Sequence, residues 1–143
     1  MVSDGKKFSE KHGPDATPHP AIAEAVRKRA KDAAVPCAVA FDIAAELDAD
    51  PAAVGRTVDL MEYRLVKCQM GLFGYGDKGK IVSADEPAPE SLKAAIEAAA
   101  PKGRLTCRSA WGIAARIGVP KLRVGGACES LGIKIKSCQL GAF

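Results

Sequence analysis

The chain has 143 residues, of which 48% are hydrophobic, 27% are charged and only 5% are aromatic. This length corresponds to about one average domain, and the apolar fraction is too high for a disordered chain. No stretch approaches the roughly 18 consecutive apolar residues of a membrane-spanning helix. The polar start lacks the apolar core of a secretory signal, and the five cysteines form an odd number. These features favour a cytoplasmic protein with reduced thiols and no contact with a membrane.

Positive charge is concentrated near the C-terminus, although the net charge of the whole chain is only +4. Residues 37–73 carry three basic and six acidic side chains, a net charge of −3. Residues 107–143 carry six basic and one acidic side chain, a net charge of +5. The C-terminal quarter is therefore the part of the chain best suited to an anionic partner such as nucleic acid.

Residues that could form a catalytic site are not evident. Both histidines, His12 and His19, lie within residues 1–19, a stretch rich in glycine and proline that is predicted to be a flexible tail. Residues 71–76 resemble a phosphate-binding glycine loop, but they fall in a predicted hairpin rather than between a strand and a helix. No nucleophile–base pair or carboxylate pair stands out. We therefore expect a protein that is not an enzyme and has no cofactor.

After the tail, the sequence predicts three helices and a hairpin. Apolar residues at helical spacing predict a first helix over about 20–34 and a second over about 38–47. A third helix begins at Asp50-Pro51, where an N-cap residue precedes a proline of the first turn. Residues 63–82 predict a strand, a glycine-rich turn and a returning strand. We call residues 20–83 the first copy.

The second copy, residues 84–143, has the same order of elements. A short linker, residues 83–90, leads into a predicted helix over about 89–100. The next helix covers about 108–117, with apolar residues again at helical spacing.

The turn and strand signals are also repeated in the second copy. Gly118 suits a tight turn because glycine accepts the left-handed backbone conformation, which Asp48 at the corresponding position tolerates less well. A third helix begins at Val119-Pro120. Residues 132–136 alternate apolar and basic side chains, which predicts a strand with one solvent-exposed face. The second hairpin is expected to be incomplete.

The two copies align without a gap when the sequence is shifted by 70 residues. At this offset Cys37 aligns with Cys107, and Cys68 aligns with Cys138. From Cys37 onward, 11 of the 37 aligned positions are identical, where composition alone gives about three. The sequence therefore predicts two similar units that pack as an internal pseudo-dimer.

Two helices, a tight turn, a third helix and a hairpin resemble the winged helix-turn-helix superfamily. The residues at the small–glycine–aliphatic spacing of its motif are Ala114, Gly118 and Val124, with Ala44, Asp48 and Val54 in the first copy. The resemblance covers both copies. It implies a mainly α-helical fold with small β-hairpins, formed by two tandem winged helix-turn-helix units. In such units the third helix enters the DNA major groove, and the hairpin contacts phosphate or the minor groove.

The resemblance implies a DNA-reading face on the third helix of each copy. In the second copy the groove-facing residues are expected to be Pro120, Lys121, Leu122, Gly125, Gly126 and Glu129, with Arg123 beside them. In the first copy they are expected to be Asp50, Pro51, Ala52, Gly55, Arg56 and Asp59. Arginine and lysine read guanine, so the candidates for base contact are Lys121, Arg123 and Arg56.

Other basic residues are candidates for contact with phosphate. They are Arg108, Arg116, Lys134 and Lys136 in the second copy, and Lys78 and Lys80 at the tip of the first hairpin. We therefore expect a DNA-binding protein that regulates transcription and contacts duplex DNA mainly through its second copy.

Two other functions are also compatible with the sequence. Small residues such as Gly125 and Gly126 also suit close contact with a protein, as in tandem winged-helix adaptors, so a protein partner or a homodimer is an alternative. The recurring cysteines could bind a metal or form a redox-switched disulfide; they are Cys37, Cys68, Cys107 and Cys138. However, neither Cys-x-x-Cys nor a nearby histidine accompanies them, which favours burial as small apolar side chains and no metal.

Overall fold

A computed structural model describes residues 8–84 and 88–143, and these residues form the predicted mainly helical fold with short strands. The elements are α1 Pro20–Arg29, β1 Ala34–Pro36, α2 Cys37–Glu46, α3 Pro51–Leu60, β2 Arg64–Val66, α4 Glu90–Ala99, β3 Arg104–Thr106, α5 Cys107–Ile117, α6 Lys121–Leu131 and β4 Lys134–Lys136. Two short 3-10 helices cover Phe8–His12 and Gly76–Lys78. Each element from α1 to β2 has a counterpart of the same type that begins 70 residues later.

Local sequence explains where the helices begin and end. The Asp50 side chain accepts a hydrogen bond of 3.1 Å from the Ala52 N–H and caps α3, as its position before Pro51 predicts. Gly118 ends α5 in the left-handed conformation, with φ of 80°. Asp48 adopts the same conformation at the corresponding turn, with φ of 51°.

The strands form parallel pairs, so the prediction of hairpins is wrong. β1 pairs with β2, with Val35 opposite Leu65, and β3 pairs with β4, with Leu105 opposite Ile135. A parallel pair needs a crossover connection, which the two helices between the paired strands provide. The sequence did not predict β1 and β3, which lie directly before α2 and α5, where only helical spacing was recognised.

The predicted returning strand of the first hairpin is also absent among the described residues between 67 and 82. This segment instead contains turns and the 3-10 helix Gly76–Lys78. Four of its glycines have positive φ values, a backbone conformation that does not continue a strand; they are Gly71, Gly74, Gly76 and Gly79.

The described chain divides into two compact units. Unit 1 contains the described residues up to Cys68 together with Leu140–Ala142, and unit 2 contains Gln69–Gln139 together with Phe143. The predicted boundary at residues 83 and 84 follows the repeat, whereas the compact units divide after Cys68. Each unit has its own apolar core. Its largest buried side chains include Ile22, Val26, Val35, Ile43, Val54 and Val58 in unit 1, and Met70, Leu92, Ile96, Leu105, Ile113 and Val124 in unit 2.

The segment predicted to be a flexible tail is partly ordered. Residues 1–7 lie outside the described part, but Phe8–His12 forms a 3-10 helix that packs on α3. The backbone N–H groups of Phe8 and Ser9 donate hydrogen bonds of 3.1 and 2.9 Å to the Glu62 carboxylate. His19 accepts a hydrogen bond from the Ile22 N–H at the start of α1. No helix of the described ranges is both long enough and apolar enough to cross a membrane.

A backbone carbonyl group lies directly against a helical glycine in each unit. In unit 1 a Cβ on Gly55 would overlap the carbonyl oxygen of Leu140, and in unit 2 a Cβ on Gly125 would overlap that of Met70. The two glycines align in the repeat, and so do the two segments that supply the carbonyl groups. Close approach of backbone to backbone requires a residue without a side chain. These positions therefore accept only glycine in the observed packing.

We expect Gly125→Ala to destabilise the protein by about 1–3 kcal/mol, because the added methyl group must displace the Met70 carbonyl group. Gly112→Ala is the matched control, since Gly112 also lies inside a helix but has open space around its Cα. This control should gain roughly 0.5–1 kcal/mol from the helix propensity of alanine. Urea unfolding of both variants measures the difference, and equal free energies of unfolding would contradict the contact at Gly125.

Candidate nucleic-acid interface

The expected DNA-reading face of α3 is only partly covered in unit 1, where Asp50, Ala52 and Arg56 are exposed. Gly55 is buried against Leu140, and Asp59 is only 5% exposed. The Asp59 carboxylate lies 2.9 Å from the Lys11 Nζ and 2.8 Å from the His12 Nε2. Lys11 also donates a hydrogen bond of 3.0 Å to the carbonyl oxygen of Gly141. The assignment of Gly55 and Asp59 as groove-facing residues is therefore wrong, because the N-terminal 3-10 helix and the 140–142 segment pack on this side of α3.

The corresponding face of α6 is partly covered in unit 2, where Pro120, Leu122 and Glu129 remain exposed. Gly125 and Gly126 are buried, the first against Met70 and the second beside the carbonyl oxygen of Ser83. Glu129 forms an ion pair with Lys80 at 2.6 Å. The prediction that these two glycines face a groove is therefore wrong as well, since backbone groups from the segment between residues 70 and 83 occupy that face.

The two candidates for base contact at the start of α6 are both half-buried. The Lys121 Nζ lies 4.4 Å from the ring centroid of Trp111, a cation–π contact that holds the ammonium group against the protein. Arg123 is also half-buried. Of the predicted base-contacting residues, only Arg56 of unit 1 has an exposed side chain. The structure thus does not bring these three residues together on one exposed face.

Three exposed basic residues lie on the outer face of the sheet in unit 2. Arg104 is directly opposite Lys134 in the parallel register, and Lys136 follows two residues later on β4. Between them Leu105 and Ile135 are buried, so the alternation along each strand places the charged side chains together on the opposite face. We call Arg104, Lys134 and Lys136 the cationic sheet face. Arg104 was not a predicted site residue, because its strand was not predicted.

The charge of the cationic sheet face is not neutralised by an ion pair within the described part of the chain. None of its three side chains forms an ion pair with any residue that the structure describes. Like charges directly opposite each other on paired strands are destabilising. In unit 1 the position equivalent to Arg104 is Ala34, opposite Arg64. An anion bound at the cationic sheet face would remove this repulsion.

A second group of exposed basic side chains lies on α5. Arg108, Gly112 and Arg116 are all exposed and follow one another at intervals of four residues, so they share one side of the helix. We call these three residues the arginine strip. Gly112 leaves open space between the two arginines, so an extended anion could approach the helix closely. Lys78 is exposed in the same unit, whereas Lys80 is paired with Glu129.

The five cysteines, all within the described ranges, are thiols that form no disulfide. Cys37 and Cys107 are the buried first residues of α2 and α5, Cys68 is buried, and Cys138 is half-buried. Among the described residues, no three histidine, cysteine or acidic side chains are grouped in a way that could hold a metal ion. Burial raises the pKa of the Cys128 thiol from 9.0 to about 11, which keeps this thiol neutral and unreactive near pH 7.

Comparison of the chain with protein-family models, with curated proteins and with solved structures gave no match.

The raised pKa of Cys128 predicts a loss of stability in alkali. The unfolded chain loses the thiol proton near pH 9, whereas the folded protein keeps it to about pH 11. Folding is therefore increasingly disfavoured as the pH rises through this window, and the contribution of Cys128 is constant below pH 9. Cys128→Val introduces the residue found at the equivalent position, Val58, and should lose less stability between pH 9 and pH 11. Thermal unfolding at a series of pH values measures this, and parallel curves would contradict it.

We expect Asp59→Ala to destabilise unit 1 by on the order of 1–3 kcal/mol, because the substitution removes the buried carboxylate and leaves Lys11 and His12 without this partner. Hydrogen exchange at residues 8–12 should also become faster. Asp42→Ala is the control, since Asp42 is exposed and forms only a 3.7 Å surface pair with Arg29, which contributes roughly 0–1 kcal/mol. If the two variants lose the same stability and exchange alike, Asp59 does not hold the N-terminal 3-10 helix on α3.

Proposed function

We propose that the protein binds duplex DNA by contacting its phosphate backbone with the cationic sheet face and the arginine strip of unit 2. The observation that carries this proposal is the register of β3 and β4, which places Arg104 opposite Lys134 without a described acidic partner. Protein contacts with phosphate are made mostly by exposed arginine and lysine side chains. Both surfaces have such side chains.

The charges of the two units support this assignment. In the sequence, Gln69–Gln139 contains eleven lysine and arginine residues against six aspartate and glutamate residues, a net charge of +5. The remaining chain, including all of unit 1, contains ten lysine and arginine residues against eleven aspartate and glutamate residues, a net charge of −1. A positive unit attracts DNA at long range, and an acidic one does not.

The proposed mode of binding differs from insertion of the third helix into the major groove. The helix, tight turn and helix shared with winged helix-turn-helix proteins support duplex DNA as the partner, although the hairpins of that fold are absent from the described residues. Regulation of transcription is the role that the resemblance implies. However, the middle of α3 and of α6 is covered, and Lys121 and Arg123 are half-buried, which leaves Arg56 as the exposed candidate for contact with base edges. Contacts with phosphate fix position but do not read sequence. We therefore propose binding with little preference among DNA sequences.

The affinity for a fluorescent DNA duplex should fall steeply between 50 and 200 mM salt. Each phosphate contact should contribute about 0.9 to the slope of log affinity against log salt concentration. Lys134→Gln with Lys136→Gln should lower this slope by about 1.8, and so should Arg108→Gln with Arg116→Gln. Fluorescence anisotropy titrations at several salt concentrations measure the slopes. The matched control is Arg56→Gln with Arg64→Gln, which removes two exposed charges from unit 1 and should leave the slope unchanged.

Three outcomes would contradict the proposal. Absence of binding at 50 mM salt would exclude DNA as the partner, and a stoichiometric protein partner would then favour an adaptor function. An equal effect of the unit 1 control would show that the cationic surfaces of unit 2 are not the contact. A strong preference for one DNA sequence, lost in Lys121→Ala, would indicate that α6 becomes uncovered when DNA binds.

A further inference from the structure

Unit 2 contains a cleft of about 370 Å³ that the proposed DNA contact does not explain. Its apolar walls are formed by Leu72, Phe73, Cys128, Ile133 and Phe143. Clefts that bind small molecules have volumes of roughly 300–1,000 Å³ and mostly apolar walls with a few polar groups. The size and lining of this cleft are therefore those of a site for a small organic molecule.

An aromatic pair forms one side of the cleft. The rings of Phe73 and Phe143 meet edge to face, with centroids 6.1 Å apart and an angle of 85° between the planes. The carbonyl oxygen of Phe143 accepts a hydrogen bond of 3.0 Å from the Cys138 N–H, which fixes this residue in place. Phe143 is nevertheless 47% exposed. A further aromatic ring could stack on or meet the edge of this pair, a geometry that aromatic groups prefer.

The charges that line the cleft leave one cation without a partner among the described residues. Lys80 and Glu129 neutralise each other at 2.6 Å. Lys134 also lines the cleft, and it forms no ion pair with a residue of the described ranges. The thiol of Cys128 is neutral near pH 7, and burial raises its pKa further, to about 11, so it does not repel an anion. Lys134 is therefore a positive charge of the cleft that is available to an acidic ligand.

We infer that this cleft binds a small aromatic monocarboxylate. The aromatic ring lies against Phe73 and Phe143, and the carboxylate reaches the Lys134 ammonium group. A charge-assisted hydrogen bond from lysine orients the ligand, while the apolar walls supply most of the affinity through burial of the ring. This site shares Lys134 with the proposed contact with DNA, so the ligand and a phosphate group compete for its ammonium group. The cleft needs no nucleic acid to be occupied, and it is therefore tested without DNA.

The experiment uses 2-naphthoate as the probe and the full chain without nucleic acid. Titration calorimetry should show one site, and amide NMR shifts should change at Phe73, Cys128 and Ile133, which line the cleft. Lys134→Gln should weaken 2-naphthoate by about fivefold, since a partly exposed charge pair contributes modestly. The same variant should leave the affinity for the neutral analogue, 2-naphthamide, unchanged.

Lys136→Gln is the matched control, because Lys136 is an exposed residue of the same strand that does not line the cleft. It should bind 2-naphthoate as the wild type does. Absence of shifts at millimolar 2-naphthoate, or shifts confined to residues outside the cleft, would overturn the inference. Equal weakening by both lysine variants would also overturn it, since that result indicates general attraction of an anion to the sheet.

Discussion

The contact between a helical glycine and a backbone carbonyl group is the constraint on which the rest of each unit depends. Gly55 in α3 receives the Leu140 carbonyl group, and Gly125 in α6 receives that of Met70. A methyl group at either position would force the two backbones apart. The contact explains why the third helix of each unit is covered on the side where the winged helix-turn-helix resemblance implies contact with DNA.

Because α6 is covered, the surfaces that remain for an anionic partner are the outer face of the β3–β4 sheet and one side of α5. On both surfaces the spacing of the charged residues along the chain places them on one side of the strand or helix. A two-residue period on β4 separates buried Ile135 from its charged neighbours, and a four-residue interval on α5 aligns Arg108 with Arg116. The same covering segment supplies Phe73, one wall of the cleft proposed to hold an aromatic carboxylate.

Several parts of the fold could be predicted because they depend on neighbouring residues. The caps at Asp50 and Gly118 act within one turn of a helix, so their sequence signals suffice. Amphipathic spacing likewise indicated the helices, although α1 ends at Arg29, short of its predicted end near Ala34. The parallel pairing of three-residue strands could not be predicted, since it joins positions far apart in the chain, such as Val35 and Leu65, through very few side chains.

The sequence by itself determined the mainly helical composition, the constant offset between corresponding elements and the positive net charge of residues 107–143. These properties follow from local propensity and from composition. Only the tertiary structure decided which side of each third helix is exposed, because helical glycines allow close approach without specifying what approaches them. It also decided that Asp59 is buried beside Lys11 and His12, and that Arg104 stands opposite Lys134. Such pairings depend on contacts between distant segments, which no local pattern records.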